Sequence, residues 1–470
     1  MCNKPSHRLY NCPVAIRAGS HPTATALVTK KSLYTYAALD AAIAARQAFL
    51  STHGIGRGDR VLVVVSPSVS CCATLWALFR LGATACPMNP ALPETALART
   101  AAMVEAHWMV AEQTVTPLRQ PSASTDAPQP ASKHPALATI VLTSGSSGAP
   151  KAAVHSHENH LAAARTANRN MPLSPGDRWL LSLSLFHVAG LAVLFRCALA
   201  GAAAALPEAG LSLEDNLTTS GATHVSLVPT QLYRLLESSR AAAALRNMKG
   251  VLLGGAPVAP SLIARAWNAG LSLTRSYGMT ETAAQLCATA SNASYEELLS
   301  DGRPLVSNTI RIGTDGMVEV RGAALFLGYY HGNGHCRRPE TADGWFRTGD
   351  MGHFDAQGRL HITGRADAMF ICGGENIQPE EIEAALCALP GVRRAVVAPL
   401  PHDEYGAVPV AFVDKPQSEA WDDAALRDGL APLLPRFKIP RYFLAWPNTL
   451  CPGMKPNRNL FAAEARKRCG

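Results

Sequence analysis

The sequence predicts an α/β protein. It reads as a large N-terminal domain of mixed sheets with packed helices and a small β-rich lobe, followed by a small α+β C-terminal domain. Three observations predict this. Short apolar runs such as Val61–Val65 and Thr139–Leu142 alternate with helical segments through the first part of the chain. From about residue 300 the texture changes to short strands and glycine turns. The last ~100 residues then carry one clear helix and two strands, which suits a separate unit by domain-size priors.

The chain has 470 residues, too many for one ordinary core. It is 48% hydrophobic and 17% charged, a globular composition that excludes wholesale disorder. The formal net charge of +8 suits anionic ligands. The basic residues are spread out, with no stripe and no aromatic–basic interleaving, so a nucleic-acid partner is not expected. Twelve cysteines show no metal-ligand spacing, and the N-terminus Met1–Arg8 lacks the apolar core of a signal peptide. Reduced thiols and a cytoplasmic location are the expectation. Pro67 and several serines interrupt the first long apolar stretch, and Arg196 interrupts the second. Neither offers the ~20 clean residues of a membrane span. Oligomeric state stays open.

In order, residues 34–53 read as an amphipathic helix, Val61–Val65 as a buried strand, 69–82 as a helix ending at Gly82, and Ala83–Pro87 as a strand. The Pro/Ser/Ala-rich stretch 119–137 reads as a loop. Thr139–Leu142 is a strand leading into a glycine-rich loop, with a helix expected to follow, roughly His157–Arg169. Trp179–Leu185 is strand-like and Leu191–Ala200 helical. Thr223–Val228 and Gly250–Leu253 are strands, with helices after Pro229 and over Pro260–Asn268. Thr309–Ile312, Met317–Arg321, His353–Asp355 and Arg359–Ile362 form the β-rich lobe. Pro379–Leu389 is a helix, and Ala395–Pro399 and Pro409–Val413 are strands.

The loop Thr143-Ser144-Gly145-Ser146-Ser147-Gly148-Ala149-Pro150-Lys151 carries the most chemistry. Two glycines let the backbone amides converge, four hydroxyls add donors, and a lysine closes the loop. Convergent donors of this kind bind a phosphate chain. A Ser/Gly surface turn is the bland alternative, and Lys151 and the strand before the loop weigh against it. A Walker A loop is excluded by spacing, because Gly145 and Gly148 are three apart and Ala152 follows the lysine.

This loop resembles the phosphate loop of the adenylate-forming (acyl-CoA synthetase) superfamily. Further segments resemble that family's motifs, in its order. They are Gly254-Gly255-Ala256-Pro257 on the adenine side, Tyr277-Gly278-Met279-Thr280-Glu281, and the ribose-binding Trp345-Phe346-Arg347-Thr348-Gly349-Asp350. Gly364-Arg365-Ala366-Asp367 resembles the inter-domain hinge, Gly373-Gly374-Glu375-Asn376-Ile377 the start of the mobile domain, and Lys455-Pro456-Asn457-Arg458 the terminal Lys-x-x-Arg. The resemblance spans about residues 30–465. It implies an adenylation domain over 1–364, a mobile domain over 365–470, and ATP, Mg²⁺ and coenzyme A as reactants and metal.

The resemblance also implies roles. Tyr277 stacks on adenine beside Gly278, Thr280 donates to the α-phosphate, and Glu281 holds Mg²⁺. Asp350 accepts from the ribose hydroxyls and Arg365 adds a donor. Lys455 offsets the repulsion of two reacting anions. Its alignment competes with Lys438-Ile439-Pro440-Arg441, which shows the same spacing. Asp367 is the hinge, about which the mobile domain offers first Lys455 and then the Gly373-Gly374 region to the thiol.

His187 matches a family position bordering the acyl pocket. Arg196 sits in an otherwise apolar helix, and a buried arginine costs several kcal/mol unless paired. An internal carboxylate or a ligand carboxylate would pair it, and the second predicts a substrate with two carboxylates. Leu181–Gly190 with Arg196, His224–Leu232 and Gly373–Glu381 are similar to o-succinylbenzoate–CoA ligases of menaquinone biosynthesis. That similarity implies 2-succinylbenzoate as the acid. Another aryl or medium-chain acid, or an inactive nucleotide-binding homologue, are the alternatives.

Overall fold

The computed structural model describes residues 12–119, 137–143, 150–306, 308–333, 335–372, 375–402, 405–415, 422–447 and 456–469. Among them the chain builds four sheets.

The first has eight strands. Its centre is parallel, with Leu137–Thr143, Thr84–Met88, Arg60–Val64 and Trp108–Ala111 side by side. Thr84–Met88 is buried at every residue. Helices cover both faces of such strands, which is why they read as continuous apolar runs. The second sheet has nine strands, and its parallel centre runs Leu273–Met279, Gly250–Leu253, His224–Leu227, Arg178–Leu180, Ala203–Ala205 and Thr25–Val28. Helices Tyr36–Thr52, Val69–Leu81, His157–Asn170 and Val188–Ala200 contribute to one core with Trp76, Phe79, Trp179 and Phe195 at its centre. Local rules set the helix ends. Ser68 caps Val69–Leu81 by accepting from the Cys71 amide, and Gly82 ends it at φ 71°, a left-handed conformation suited to glycine.

The third sheet is the β-rich lobe: Asn308–Ile312, Met317–Gly322, Phe346–Phe354 and Leu360–Arg365, all antiparallel. The fourth follows at Phe370. Its main hairpin, Arg394–His402 with Gly406–Asp414, packs against helices Pro379–Cys387 and Arg458–Cys469 around Phe412, Trp446 and Phe461. No helix among the described residues is long and apolar enough to cross a membrane.

Three expectations change. The glycine-rich loop is followed by strand Lys151–Ser156, which was not predicted and folds back on Leu137–Thr143 as a hairpin, while the helix after it starts at His157 as expected. The strand predicted over Trp179–Leu185 ends at Leu180, where its parallel neighbour Ala203–Ala205 ends too. The strand predicted over His353–Asp355 is a nine-residue strand, Phe346–Phe354, whose inner residues alternate with solvent-facing ones despite two glycines.

Candidate active site

The site lies where three sheets meet. From the first comes the hairpin, on which Thr143 and Lys151 pair across the strands. Ser144, Gly145, Ser146, Ser147 and Gly148 lie outside the described residues. Strand Gly328–Tyr330 pairs with Lys151–Ser156 and places the Tyr329 ring beneath Lys151, with Nζ 5.2 Å from the ring centroid. The Tyr329 hydroxyl donates to Glu281 Oε1 at 2.6 Å. Burial and the Glu281 charge push the Tyr329 pKa up, so this hydroxyl keeps its proton.

The second sheet delivers Tyr277 and Gly278 on strand Leu273–Met279, then Thr280 and Glu281 on a single tight turn, Thr280–Thr282. Gly278 is required here, because a Cβ would stand 1.7 Å from the Ala284 carbonyl oxygen. The turn is held from outside by two bonds to its carbonyls. The Phe326 amide donates to Glu281 O at 2.7 Å, and His155 Nε2 donates to Thr280 O at 2.7 Å. Glu281 is 7% exposed. Its Oε1 is engaged by Tyr329, and Oε2 has no hydrogen-bond partner among the described residues. A single half-engaged carboxylate fits magnesium, which usually takes one or two protein carboxylates and fills its shell with phosphates and water. Next to this strand, Gly254-Gly255-Ala256 follows Gly250–Leu253. A Cβ on Gly254 would meet the Ser276 carbonyl oxygen at 2.7 Å, and Gly255 has φ +82°.

The third sheet brings Asp350 and Arg365 opposite one another on paired strands. Asp350 Oδ2 accepts from the Tyr277 hydroxyl at 2.5 Å, and Oδ1 accepts from Arg365 Nη1 at 3.1 Å. Arg365 also grips Asp367 with its fork, Nε to Oδ1 at 3.0 Å and Nη2 to Oδ2 at 3.1 Å. These bonds to Asp367 and the Asp350 charge outweigh burial and hold the guanidinium charged. Burial and Asp350 keep the Tyr277 hydroxyl protonated. Tyr277, Asp350, Arg365 and Asp367 thus form one continuous chain of contacts. A carboxylate offers about four lone-pair sites, so Asp350 retains capacity for further donors.

His187, the residue expected to border the acid, is exposed at the N-cap of helix Val188–Ala200, beside the Phe186 ring. Arg196 lies deep in the same helix, 2% exposed. No internal carboxylate pairs with its guanidinium among the described residues. Nε donates to Asn168 Oδ1 at 2.9 Å, Nη2 donates to the carbonyls of Ala167 at 3.3 Å and Met171 at 3.0 Å, and the Trp179 ring lies 4.2 Å from Cζ. The carbonyls belong to the C-terminal end of helix His157–Asn170, a negative dipole end that suits a cation. Nη1 has no hydrogen-bond partner among the described residues. Burial lowers the Arg196 pKa to about 9.

In the C-terminal unit, Gly373, Gly374 and Lys455 lie outside the described residues. Arg458 is described, and it pairs with Glu380 at 2.7 Å and with Glu383, anchoring the last helix to Pro379–Cys387. The competing Lys438 is tied to Glu381 at 2.5 Å, and Arg441 donates to His402.

Comparison with known proteins gives this arrangement its family. The AMP-binding enzyme family matches residues 14–330, and the AMP-binding enzyme C-terminal domain matches residues 381–449. The chain belongs to the AMP-binding enzymes. A 2-succinylbenzoate–CoA ligase of Salmonella typhimurium is 38% identical to it over 408 residues, 85% of this chain and 86% of that one. The o-succinylbenzoate CoA synthetase of Bacillus subtilis in complex with the acyl-adenylate intermediate superposes with a TM-score of 0.81 at 26% identity, covering 96% of this chain and 97% of that one. The same synthetase with ATP and a magnesium ion gives 0.79 at 27% identity, covering 92% and 95%.

Sequence reasoning missed two residues of this AMP-binding enzyme's site. Tyr329 left a faint signal, a tyrosine pair after a glycine. His155 left none, because a histidine in an alanine-rich run reads as a core residue.

Proposed function

We propose that this AMP-binding enzyme is an AMP-forming acid–thiol ligase that joins 2-succinylbenzoate to coenzyme A in menaquinone biosynthesis. The observation that carries this reading is the Salmonella ligase, 38% identical over 85% of this chain. The near-complete superposition on the Bacillus synthetase that holds an acyl-adenylate supports the same two-step route.

In the first step the succinyl carboxylate attacks the α-phosphorus of ATP, giving acyl-adenylate and pyrophosphate. In the second the thiol of coenzyme A attacks the acyl carbon, and AMP leaves with the C–O electron pair. The hairpin loop and Lys151 hold the β- and γ-phosphates, Thr280 donates to the α-phosphate, and Tyr277, oriented through its hydroxyl by Asp350, presents its ring to adenine. Asp350 and Arg365 take the ribose. Glu281 would hold a magnesium ion, which would supply charge neutralisation at the phosphates. Lys455 serves the first step, and the Gly373-Gly374 region borders the thiol in the second. We place the joint between the two domains at Asp367, between the sheet that ends at Arg365 and the sheet that begins at Phe370. His187 borders the acid. Arg196 takes its second carboxylate through Nη1, with Nε and Nη2 already fixed so that little side-chain freedom is lost on binding. ATP and coenzyme A are cytoplasmic metabolites, and the enzyme belongs in that compartment.

A panel of acids with ATP and coenzyme A, read as AMP and thioester formed, tests the reading. 2-Succinylbenzoate should dominate. Strong turnover of a monocarboxylic acid with none of 2-succinylbenzoate would overturn the acid assignment. Absence of acid-dependent pyrophosphate exchange into ATP would overturn catalysis itself.

A further inference from the structure

Behind the Thr280–Thr282 turn lies a row of buried polar side chains with no role so far. His155 and Thr139 are 0% exposed and His160 is 1% exposed. His155 Nε2 is 2.7 Å from the Thr280 carbonyl oxygen, and its Nδ1 is 3.4 Å from Thr139 Oγ1. Thr139 Oγ1 is 2.8 Å from His160 Nε2, and the His160 ring stacks on Phe195 with centroids 4.8 Å apart.

The proton order follows from the acceptors. A carbonyl oxygen only accepts, so His155 Nε2 carries hydrogen. The neutral ring then has a lone pair at Nδ1, which faces the Thr139 hydroxyl. Thr139 oxygen in turn accepts from His160 Nε2. This leaves a lone pair on His160 Nδ1, the ring nitrogen that has no partner in the buried site. The reverse order would bury an N–H there instead, the more costly orphan. Burial lowers the pKa of both rings, that of His155 to about 4, so the neutral forms hold near pH 7. Every donor in the row therefore points toward Thr280.

We infer that His155 is a positioning residue for adenylation: its Nε2–H holds the Thr280 carbonyl and so fixes the turn that carries the Thr280 hydroxyl and the Glu281 carboxylate. The inference rests on the reading of that turn as the phosphate side of the site. The turn needs such a support. Ala283, directly after it, has φ 53°, a conformation that a residue with a Cβ rarely adopts. Bonds from His155 and Phe326 hold two of its carbonyls from outside the turn. A hydroxyl and a carboxylate on so short a turn move together if one of those bonds is lost, and small misplacements of this kind lower rates strongly.

The test compares His155→Gln with His155→Asn in acid-dependent pyrophosphate exchange, with kcat, KM for ATP and for the acid, and Tm measured on each. A glutamine amide nitrogen stands close to where Nε2 stood, whereas an asparagine amide stands nearer the Nδ1 position. His155→Gln should retain at least a third of the exchange rate. His155→Asn should lose more than tenfold in kcat, with KM for the acid changed less than threefold. Equal loss in both variants, or a lower Tm in both with normal kcat, would overturn the inference. Glu281→Gln is run beside them. If it keeps full exchange, the phosphate-side reading of the turn fails. If it loses exchange while His155→Asn is normal, that reading stands and only the role of His155 falls.

Discussion

Arg196→Met separates two uses of one buried guanidinium. At pH 7 the native side chain carries a desolvation penalty. A fall in pKa from 12.5 to about 9 corresponds to about 5 kcal/mol. Methionine removes that penalty. It also strips donors from Asn168 Oδ1 and from the Ala167 and Met171 carbonyls, at about 1–3 kcal/mol each, and removes the cation over Trp179, worth about 1–2 kcal/mol. At the middle of these ranges the losses exceed the gain by roughly 2–3 kcal/mol, so folding should weaken by about that much. Substrate binding has no such compensation. Truncating one partner of a buried charge pair costs about 2–5 kcal/mol, which is roughly 30-fold or more in affinity. Steady-state kinetics should show KM for 2-succinylbenzoate raised at least 30-fold, with KM for ATP unchanged and a Tm shift of a few degrees. The pH dependence adds a check. The native cation is lost as pH rises through about 9, so KM for the acid should climb above that pH in the native enzyme and stay flat in the variant. An unchanged KM with a lowered Tm would refute the acid role and leave Arg196 as a clamp on the end of helix His157–Asn170.

Two further perturbations follow from the geometry. Gly278→Ala forces a Cβ to within 1.7 Å of backbone that cannot retreat, so pyrophosphate exchange should fall at least 100-fold, and a variant with native exchange would show that the turn is looser than described. Acid should unfold the large domain through its buried histidines. Burial lowers the pKa values of His155, His157 and His224 from 6.5 to about 4. The unfolded chain therefore binds more protons between pH 6.5 and about 4, and stability is lost as pH falls through that window. Each histidine removes roughly 2 kcal/mol by pH 5, and three together rival a typical domain stability of about 5–15 kcal/mol. Urea titrations at pH 7 and pH 5 should show the midpoint collapsing, and equal midpoints would refute the assignment of neutral rings.

Much of the fold was legible because buried parallel strands announce themselves as apolar runs, as Arg60–Val64 and Gly250–Leu253 did. The grouping of Tyr277, Glu281 and Asp350 was legible because Tyr277-Gly278 and Thr280-Glu281 are contiguous and Asp350 sits in a recognisable segment. The hairpin was not. Ala152-Ala153-Val154 carries no turn signal and alanine favours helix, yet pairing with Leu137–Thr143 overrides that propensity. Strand Phe346–Phe354 hid behind Gly349 and Gly352, which are costly in a strand but make room here for Arg365 and for the His361 carbonyl. The links from Tyr329 to Glu281 and from Arg196 to Asn168 and Met171 join residues far apart in sequence, and no periodicity records such contacts.

A meeting point of three sheets also has a folding consequence. Lys151, Glu281 and Asp350 come from three different hydrogen-bonded ladders, and none of these ladders holds two of them. A partly folded chain with one sheet formed lacks the binding groups of the other two, so intermediates should have almost no affinity for ATP. Contacts of such long sequence separation form late and slowly. Whatever binds the finished junction stabilises all three sheets at once, in proportion to ligand concentration over its dissociation constant. ATP then acts as the last structural element of the large domain, closing a junction that the chain assembles only at the end.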